Sequence, residues 1–589
     1  MDKHAILHIP MSQYAFALSE TEFVVRIRTA KGDIDSCTLF YGDRACMQSP
    51  VVFQKQQMEI GWQDEFFDFF EVKLSFPPKR ICYYFKLEKG NEWTFYYADL
   101  FRKELPDQIL LDGTVLEGRS EYYQYPYILR KEILGEPDWF QEAVVYNIFP
   151  DSFASKKRYL SCKGEEIQQK DNTISKSKCG GTIQGIIENL DYLSDMGFNC
   201  VYLNPVFVAG EYHKYDIVDY FHIDPCFGTD EDFMKLTEAV HMRHMHIIID
   251  GVFNHCSWYF PFFNDVVEKG KKSIYVDWFY DLKFPIKRAE ASNEIPDYAC
   301  FAYEKKMPKL NTSNKEVQKY FAHVGAYWIE KFHVDGWRLD VANEVDKMFW
   351  TEFRDSVKHA DPNAILIGEV WENSQHWLRG DAFDSTMNYD FRKYCRDFFT
   401  YGKIDALQFG YGMTDMQLRY PIQLSRGQLN LLDSHDVPRF LSLCKMDIKR
   451  WKLAFVCLMM SPGVPSVFYG DENLISGICE NQYRSPMPWE KEKPNVRDFV
   501  KNIISIRKQY IQPTDEWENL TDGKNNVLKF QRIGRYRITV LMNLSENAIS
   551  IGNKTDCAKV LSENGLSEKM LNTNCYCILC NKQQLVLRE

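Results

Sequence analysis

The chain has 589 residues, more than one hydrophobic core organises, so three or four domains are expected. Its 71 basic residues against 82 acidic ones leave a net charge of −11, which argues against nucleic acid or an anionic membrane as partner. The start M-D-K-H-A-I-L-H-I-P has no basic segment leading into an apolar run, and the longest apolar stretch, residues 453–460, is too short to span a bilayer, so a cytoplasmic location is expected.

In chain order, residues 1–128 carry alternating runs, F-V-V-R-I-R-T at 23–29 and I-C-Y-Y-F-K-L at 81–87, broken by K-G-D, Y-G-D and F-P-P turns. That pattern predicts an antiparallel β-sandwich. From residue 129 short apolar strands alternate with amphipathic helices, the pattern of a parallel α/β barrel. Eight strands are expected, at 144–149, 199–203, 246–250, 334–340, 365–370, 383–388, 429–433 and 465–469. Between them, Ile183, Ile186, Ile187, Leu190 and Leu193 form one helical stripe stopped by Gly197. Thr229 and Asp232 cap a helix that turns Phe233, Leu236 and Val240 inward, and Ser313 with Glu316 reads as a capping box before Val317, Phe321, Val324, Trp328 and Phe332. The connection 256–311, rich in aromatic residues and proline, is too long for a plain barrel loop and is expected to be functional. After residue 507 alternating strands return, at 527–531 and 536–541, as an all-β end. Seventeen cysteines, an odd number spread through strands and helices, fit reduced thiols better than a disulfide framework.

Within the fourth barrel strand, H-V-D-G-W-R-L-D at 333–340, side-chain alternation puts Arg338 and Asp340 on one face. An oriented nucleophile and an ordinary buried ion pair fit that stretch equally. Four more stretches end in polar residues where a strand stops: D-G-V-F-N-H at 250–255, G-E-V-W at 368–371, L-L-D-S-H-D at 431–436 and M-P-K-L-N at 307–311. With these, the chain resembles the alpha-amylase family of retaining glycoside hydrolases, and within it the cyclomaltodextrinase, neopullulanase and maltogenic amylase group.

The resemblance implies an α/β fold: a (β/α)8 TIM barrel over 129–507, a small domain inserted after barrel strand three at 256–311, an N-terminal starch-binding-type β-sandwich over 1–128 and a C-terminal all-β domain over 508–589. It implies Asp340 as nucleophile, Glu369 as acid/base, protonated at rest if a nearby carboxylate raises its pKa, and Asp436 as the third carboxylate on the sugar hydroxyls. Arg338 would hold Asp340 ionised and Asp250 would brace the arginine; His255 and His435 would donate to sugar hydroxyls. Tyr215, in H-K-Y-D with His213, would stack on the sugar at the cleavage point, while Glu344 and Trp371 would shape the acceptor side. Substrates would be cyclodextrins, pullulan and short maltooligosaccharides, with transglycosylation and a homodimer through the N-terminal module. A catalytically inactive carbohydrate-binding or scaffold protein and an oligo-1,6-glucosidase are the competing readings.

Departures from the family pattern matter as well. Ser155, Lys156 and Lys157 stand where many members have an N-G-D calcium loop, so no metal or cofactor is expected. Asp433 replaces a usual glycine, and S-G-I-C-E-N-Q-Y-R at 476–484 departs after strand eight. H-M-R-H-M-H at 241–246 reads as surface at the barrel's stability face rather than as a metal site, and C-Y-C-I-L-C at 575–580 splits across two strand faces.

Overall fold

The computed structural model describes residues 1–44, 51–105, 122–155, 166–170, 173–287, 294–491, 493–551, 559–567 and 569–582. It divides into two compact units. The first comprises Met1–Gly135, Asp405–Arg426 and Asn519–Gly523, and the second comprises Glu136–Ile404, Gly427–Glu518 and Lys524–Glu589.

The first unit is built on a nine-stranded antiparallel sheet in the order Ala15–Ala17, Glu22–Ala30, Phe67–Ser75, Gln54–Gln63, Ser36–Asp43, Ile81–Lys89, Glu92–Tyr97, Leu100–Arg102, with Tyr123–Tyr125 added to Ile81–Lys89. Gln54–Gln63 joins the two halves: its first residues pair with Ser36–Asp43, its last with Phe67–Ser75, and a register shift between Ile60 and Trp62 marks the turn-over. Alternate residues of the strands, Phe23, Val25 and Ile27 with Tyr83, Phe85 and Leu87, enter one core. Helix Ala406–Leu418, started by an Asp405–Gln408 capping box, belongs to this unit: Leu418 packs with Tyr14 and Phe69, and Lys31 Nζ donates to Tyr411 Oη at 3.0 Å.

In the second unit eight parallel strands close a barrel: Val145–Ile148, Cys200–Leu203, His246–Val252, Gly336–Asp340, Ile365–Gly368, Ser385–Asn388, Leu429–Leu431 and Val464–Phe468. Val145, Cys200, Tyr202, Ile248, Ile365, Ile367, Met387, Leu429, Leu431 and Val464 share one buried cluster, so the barrel has a packed core rather than a pore. In the fourth strand Trp337 donates its indole N–H to Gly325 O of helix Lys315–Phe332, while Arg338 reaches Asp250 of the third strand and Asp340. Gly336 is dictated by close approach, since a Cβ there would lie 2.3 Å from Ile365 O. The strand begins at Gly336 rather than at residue 334 because His333, left-handed at φ 55°, is the C-cap of the preceding helix.

Two helix expectations change. The cap of Lys315–Phe332 is Asn314, whose side chain accepts from the backbone N–H of Glu316 and Val317, while Ser313 is turned to Asn311 Oδ1 and Glu316 accepts from Trp278 Nε1. The stripe from Ile183 breaks into Ile183–Ile187 and Leu190–Met196 at Asn189, whose amide donates to Gly185 O, and stops at left-handed Gly197 as expected. Thr229 and Asp232 form their capping box. The inserted segment carries helix Pro261–Lys269 and is fastened by the bridges His255–Lys309, Phe279–Leu310 and Cys300–Pro308. The C-terminal strands Val527–Ile533, Tyr536–Asn543 and Met570–Lys582 pair antiparallel. Among the described cysteines thirteen carry thiols and Cys179 is disulfide-bonded. No helix is long and apolar enough to cross a membrane among the described residues.

Candidate active site

Asp250, Asp340 and Glu369 lie in or just beyond the third, fourth and fifth barrel strands, and all three meet one guanidinium. Arg338 Nη1 donates to Asp250 Oδ1 at 2.9 Å, to Asp250 Oδ2 at 3.1 Å and to Asp340 Oδ1 at 2.9 Å. Its Nη2 lies 2.7 Å from Glu369 Oε1 but off the N–H direction, so that contact is an ion pair without a hydrogen bond. All four side chains are buried. Three carboxyls against one arginine leave an excess of acid, and the site resolves it unevenly.

Asp250 is saturated. Beyond Arg338, Tyr202 and Tyr215 donate their hydroxyls to Oδ2 at 2.7 and 2.8 Å. Among the described residues Asp340 receives only the Arg338 donor, and burial, with the nearby charges of Glu369, Asp250 and Asp436, pushes its carboxyl well above the usual range against the pull of Arg338. Glu369 Oε1 accepts Trp371 Nε1 and Tyr389 Oη, each at 3.2 Å, and Oε2 accepts the Val341 N–H at 3.0 Å. Val341 reaches that position in a left-handed conformation, φ 45° and ψ 44°. For a β-branched residue this is strained, and it sits directly after Asp340.

Asp436 lies beyond the seventh strand. Burial would raise its carboxyl, but the side chain keeps 30 % exposure, and His435 at 2.9 Å, Arg338 and Arg484 at 3.5 Å hold it well below the usual range. His435 is engaged at both ring nitrogens, Nδ1 with Asn204 at 2.9 Å and Nε2 with Tyr215 Oη as well as Asp436, and it stacks on Tyr215 at 5.3 Å. His255 is likewise occupied, Nε2 toward Tyr215 O at 3.2 Å and Nδ1 toward Asn254 at 3.3 Å, beneath the ring of Phe301. Burial pushes His255 down to about 3 and His213 down to about 4, so both are neutral. Both histidines beside the carboxylates thus brace Tyr215, and His213 Nδ1 accepts that tyrosine's N–H at 3.0 Å.

The acceptor-side residues are more open. Trp371 is 49 % exposed and lies flat on Tyr389 at 3.8 Å, and Glu344, 48 % exposed, pairs with Lys309 of M-P-K-L-N at 2.7 Å. Sequence reasoning missed Tyr389, Tyr202, Asn204 and Arg484. Tyr202 and Tyr389 adjoin apolar runs and read as core. Arg484 sits in the 476–484 stretch that departs from the family pattern, which was the available signal.

In the described part of the first-strand loop, Asp151 is not arranged to hold a calcium ion. Both oxygens of Asp151 are taken by the N–H groups of Lys178, Cys179 and Gly180 and by Ser177 Oγ, which leaves no carboxylate lone pair for a cation. Lys156 and Lys157 lie outside the described residues, and among those described no group of His, Cys, Asp or Glu is arranged to hold a metal. At the opposite end of the barrel, His241 and His246 both pair with Asp335, at 2.9 and 3.0 Å.

Comparison with known proteins points one way. The family model described as alpha amylase, catalytic domain, matches residues 147–537, and that described as alpha amylase, N-terminal ig-like domain, matches residues 1–128. A cyclomaltodextrinase of Thermoanaerobacter pseudethanolicus is 39% identical over 569 residues, 94% of this chain and 95% of its own. An intracellular maltogenic amylase of Bacillus subtilis is 35% identical over 539 residues, 90% of this chain and 89% of its own. Among solved structures, a cyclomaltodextrinase superposes with a TM-score of 0.87 at 32% identity, over 98% of this chain and 100% of its own.

Proposed function

The chain belongs to the alpha-amylase family of glycoside hydrolases, and on that premise we propose that it cleaves α-1,4 glucosidic bonds of cyclodextrins, pullulan and maltooligosaccharides with retention of configuration. The observation that carries this reading is the single Arg338 guanidinium touching both Asp340 and Glu369. Two carboxyls bound to one guanidinium stand close together, as a retaining pair separated by about 5 to 5.5 Å must.

In the first step Asp340 attacks the anomeric carbon, the glycosidic C–O bond breaks, and Glu369 gives its proton to the departing oxygen. In the second, Glu369 takes a proton from water or an acceptor hydroxyl, which attacks the glycosyl ester and releases Asp340. Oε1 faces Arg338, Trp371 and Tyr389 and Oε2 the Val341 N–H, contacts that orient the Glu369 carboxyl for the acid step. Asp436, held anionic by its cations, suits the hydroxyls of the sugar being distorted. Trp371 on Tyr389 offers a flat aromatic face to an acceptor sugar, which supports transglycosylation.

The name of the intracellular relative supports a cytoplasmic location, and the N-terminal module supports a homodimer by family resemblance. Proton NMR of the first products from β-cyclodextrin tests the central claim: the α-anomer must appear before mutarotation, and β-anomer or no product overturns it. Light scattering tests the dimer.

A further inference from the structure

Beyond Leu429–Leu431 the chain runs through Leu432 and Asp433 into a turn closed by the Ser434–Val437 bridge, which presents His435 and Asp436. Asp433 is buried, and its Oδ2 accepts the Phe440 N–H at 2.7 Å, closing a loop around that turn. Among the described residues its Oδ1 is buried without an N–H or hydroxyl donor, and the buried carboxyl of Asp471 faces it as a hydrogen-bonding neighbour. Asp471 Oδ1 accepts Arg439 Nη1 at 3.0 Å. Arg439 donates Nε to Tyr483 O and its backbone N–H to Gly477 O, each at 3.0 Å. One continuous set of contacts therefore joins the turn carrying Asp436 to the segment carrying Arg484, which itself donates to His435 O at 2.8 Å.

Two touching carboxyls in a buried site cannot both be ionised without a large electrostatic cost, and an orphaned buried acceptor adds its own. One proton on Asp471, donated to Asp433 Oδ1, removes both. Burial, then the Asp433 charge, push the Asp471 carboxyl well above the usual range, with Arg439 opposing and Glu472 adding to the rise. The other titratable or charged groups facing the pair are Arg392, which feels the Asp433 charge, and the Cys444 thiol, pushed up to about 12 by burial and by acids that include Asp433.

We propose that Asp433 and Asp471 are positioning residues, a carboxyl pair bridged by one hydrogen that locks the turn bearing Asp436 to the segment bearing Arg484, and that turnover requires a hydrogen held between the two side chains. The proposal rests on the glucan-hydrolase reading above. Loss of the proton as pH rises places two negative charges together, opens the lock and displaces Asp436.

The test is kcat and KM on β-cyclodextrin from acid to alkaline pH for wild type, Asp433→Ala, Asp433→Asn and Asp471→Asn. Either amide fills the gap with an N–H and removes the titrating proton. Both should keep kcat within about twofold at neutral pH and extend activity to higher pH, a shift no merely structural role produces. Asp433→Ala should lower kcat by roughly tenfold to a hundredfold, the scale a displacement of about 1 Å costs. Unchanged alkaline limbs in both amide variants, or amide variants as impaired as the alanine, overturn the pairing. If Asp433→Ala does not fold, the amide variants decide alone. Infrared difference spectra of wild type against Asp471→Asn should show a protonated-carboxyl band lost in the variant. A wild type with the band but no glucan hydrolysis sinks the functional reading, whereas an active wild type without it sinks the pair.

Discussion

The two ends of the barrel use the same residue types to opposite effect. At the strands' N-terminal end a single carboxylate, Asp335, is over-supplied: His241, His246 and the Ile247 N–H all donate to it, and although burial would raise its carboxyl these donors hold it below the usual range. At the C-terminal end three carboxyls share one arginine, and Asp340 is pushed upward. A saturated acid is inert and serves to fasten Asp335 to the strand beside it. An under-supplied one keeps affinity for a proton and for an electrophile, which is what covalent catalysis needs. Both ends are polar clusters of similar density in the sequence, so the balance of donors to acceptors, rather than the presence of ionisable residues, separates them.

The sharpest way to break the contrast is at Asp340. Asp340→Asn should leave thermal stability near wild type and lower kcat by more than about a hundredfold, the scale of losing a catalytic group; a residual rate above a hundredth of wild type would remove it from the nucleophile role. Glu369→Gln should be selective. A 2,4-dinitrophenyl maltoside, whose leaving group needs no proton, should retain far more of its first-step rate than maltotriose does, and equal losses on both would count against the acid assignment.

At the other end the effect should appear in stability alone. Asp335→Ala leaves the buried Ile247 N–H without its acceptor and should cost about 1 to 3 kcal/mol while kcat stays within about twofold, read from urea melts and rates on one preparation. A smaller effect should follow pH. The Asp335 carboxyl is depressed, so its contribution is present above the unfolded carboxylate pKa and lost as pH falls through the folded value. His241, raised by its bond to Asp335, contributes fully below 6.5 and loses that contribution as pH rises through its folded value. The stability difference between wild type and His241→Ala should therefore peak between the carboxylate and histidine ranges, modest because the histidine is 36 % exposed. A difference flat across pH would show that the pair contributes nothing electrostatic. Smallest of all, EDTA should leave the melting temperature unchanged, and a fall reversed by calcium would reveal a cation at one of the ends.

Much of this contrast was legible beforehand. Strand interiors buried on both faces produce short apolar runs, and polar residues at their ends mark the mouth, so the eight strands and the placement of Arg338, Asp340, Glu369 and Asp436 followed from pattern and resemblance. What escaped was the partner side of each bond. Tyr202 and Tyr389 adjoin apolar runs, and nothing local says that their hydroxyls point at carboxylates. For His255 and His435 a sequence shows the rings but not their partners, Tyr215, Asn204 and Asn254. Ser313 and Asn314 are both good caps one residue apart, and only the turn of Ser313 toward Asn311 decides between them. The helix Ala406–Leu418 lies within the span 129–507 expected as barrel, and its spacing between strands says nothing of which core its apolar face enters.

That helix has a consequence for how the protein is made. The N-terminal unit draws on Asp405–Arg426 and Asn519–Gly523 as well as on the first 135 residues. At ribosomal rates of about 5 to 20 residues per second, roughly 15 to 55 seconds pass between emergence of its sheet and arrival of the helix that covers Tyr14 and Phe69. Through that interval the nascent sheet shows an uncovered apolar patch while the barrel is still half translated. Slowing translation between codons 135 and 405 should lengthen chaperone association with the N-terminal sheet and lower the soluble yield.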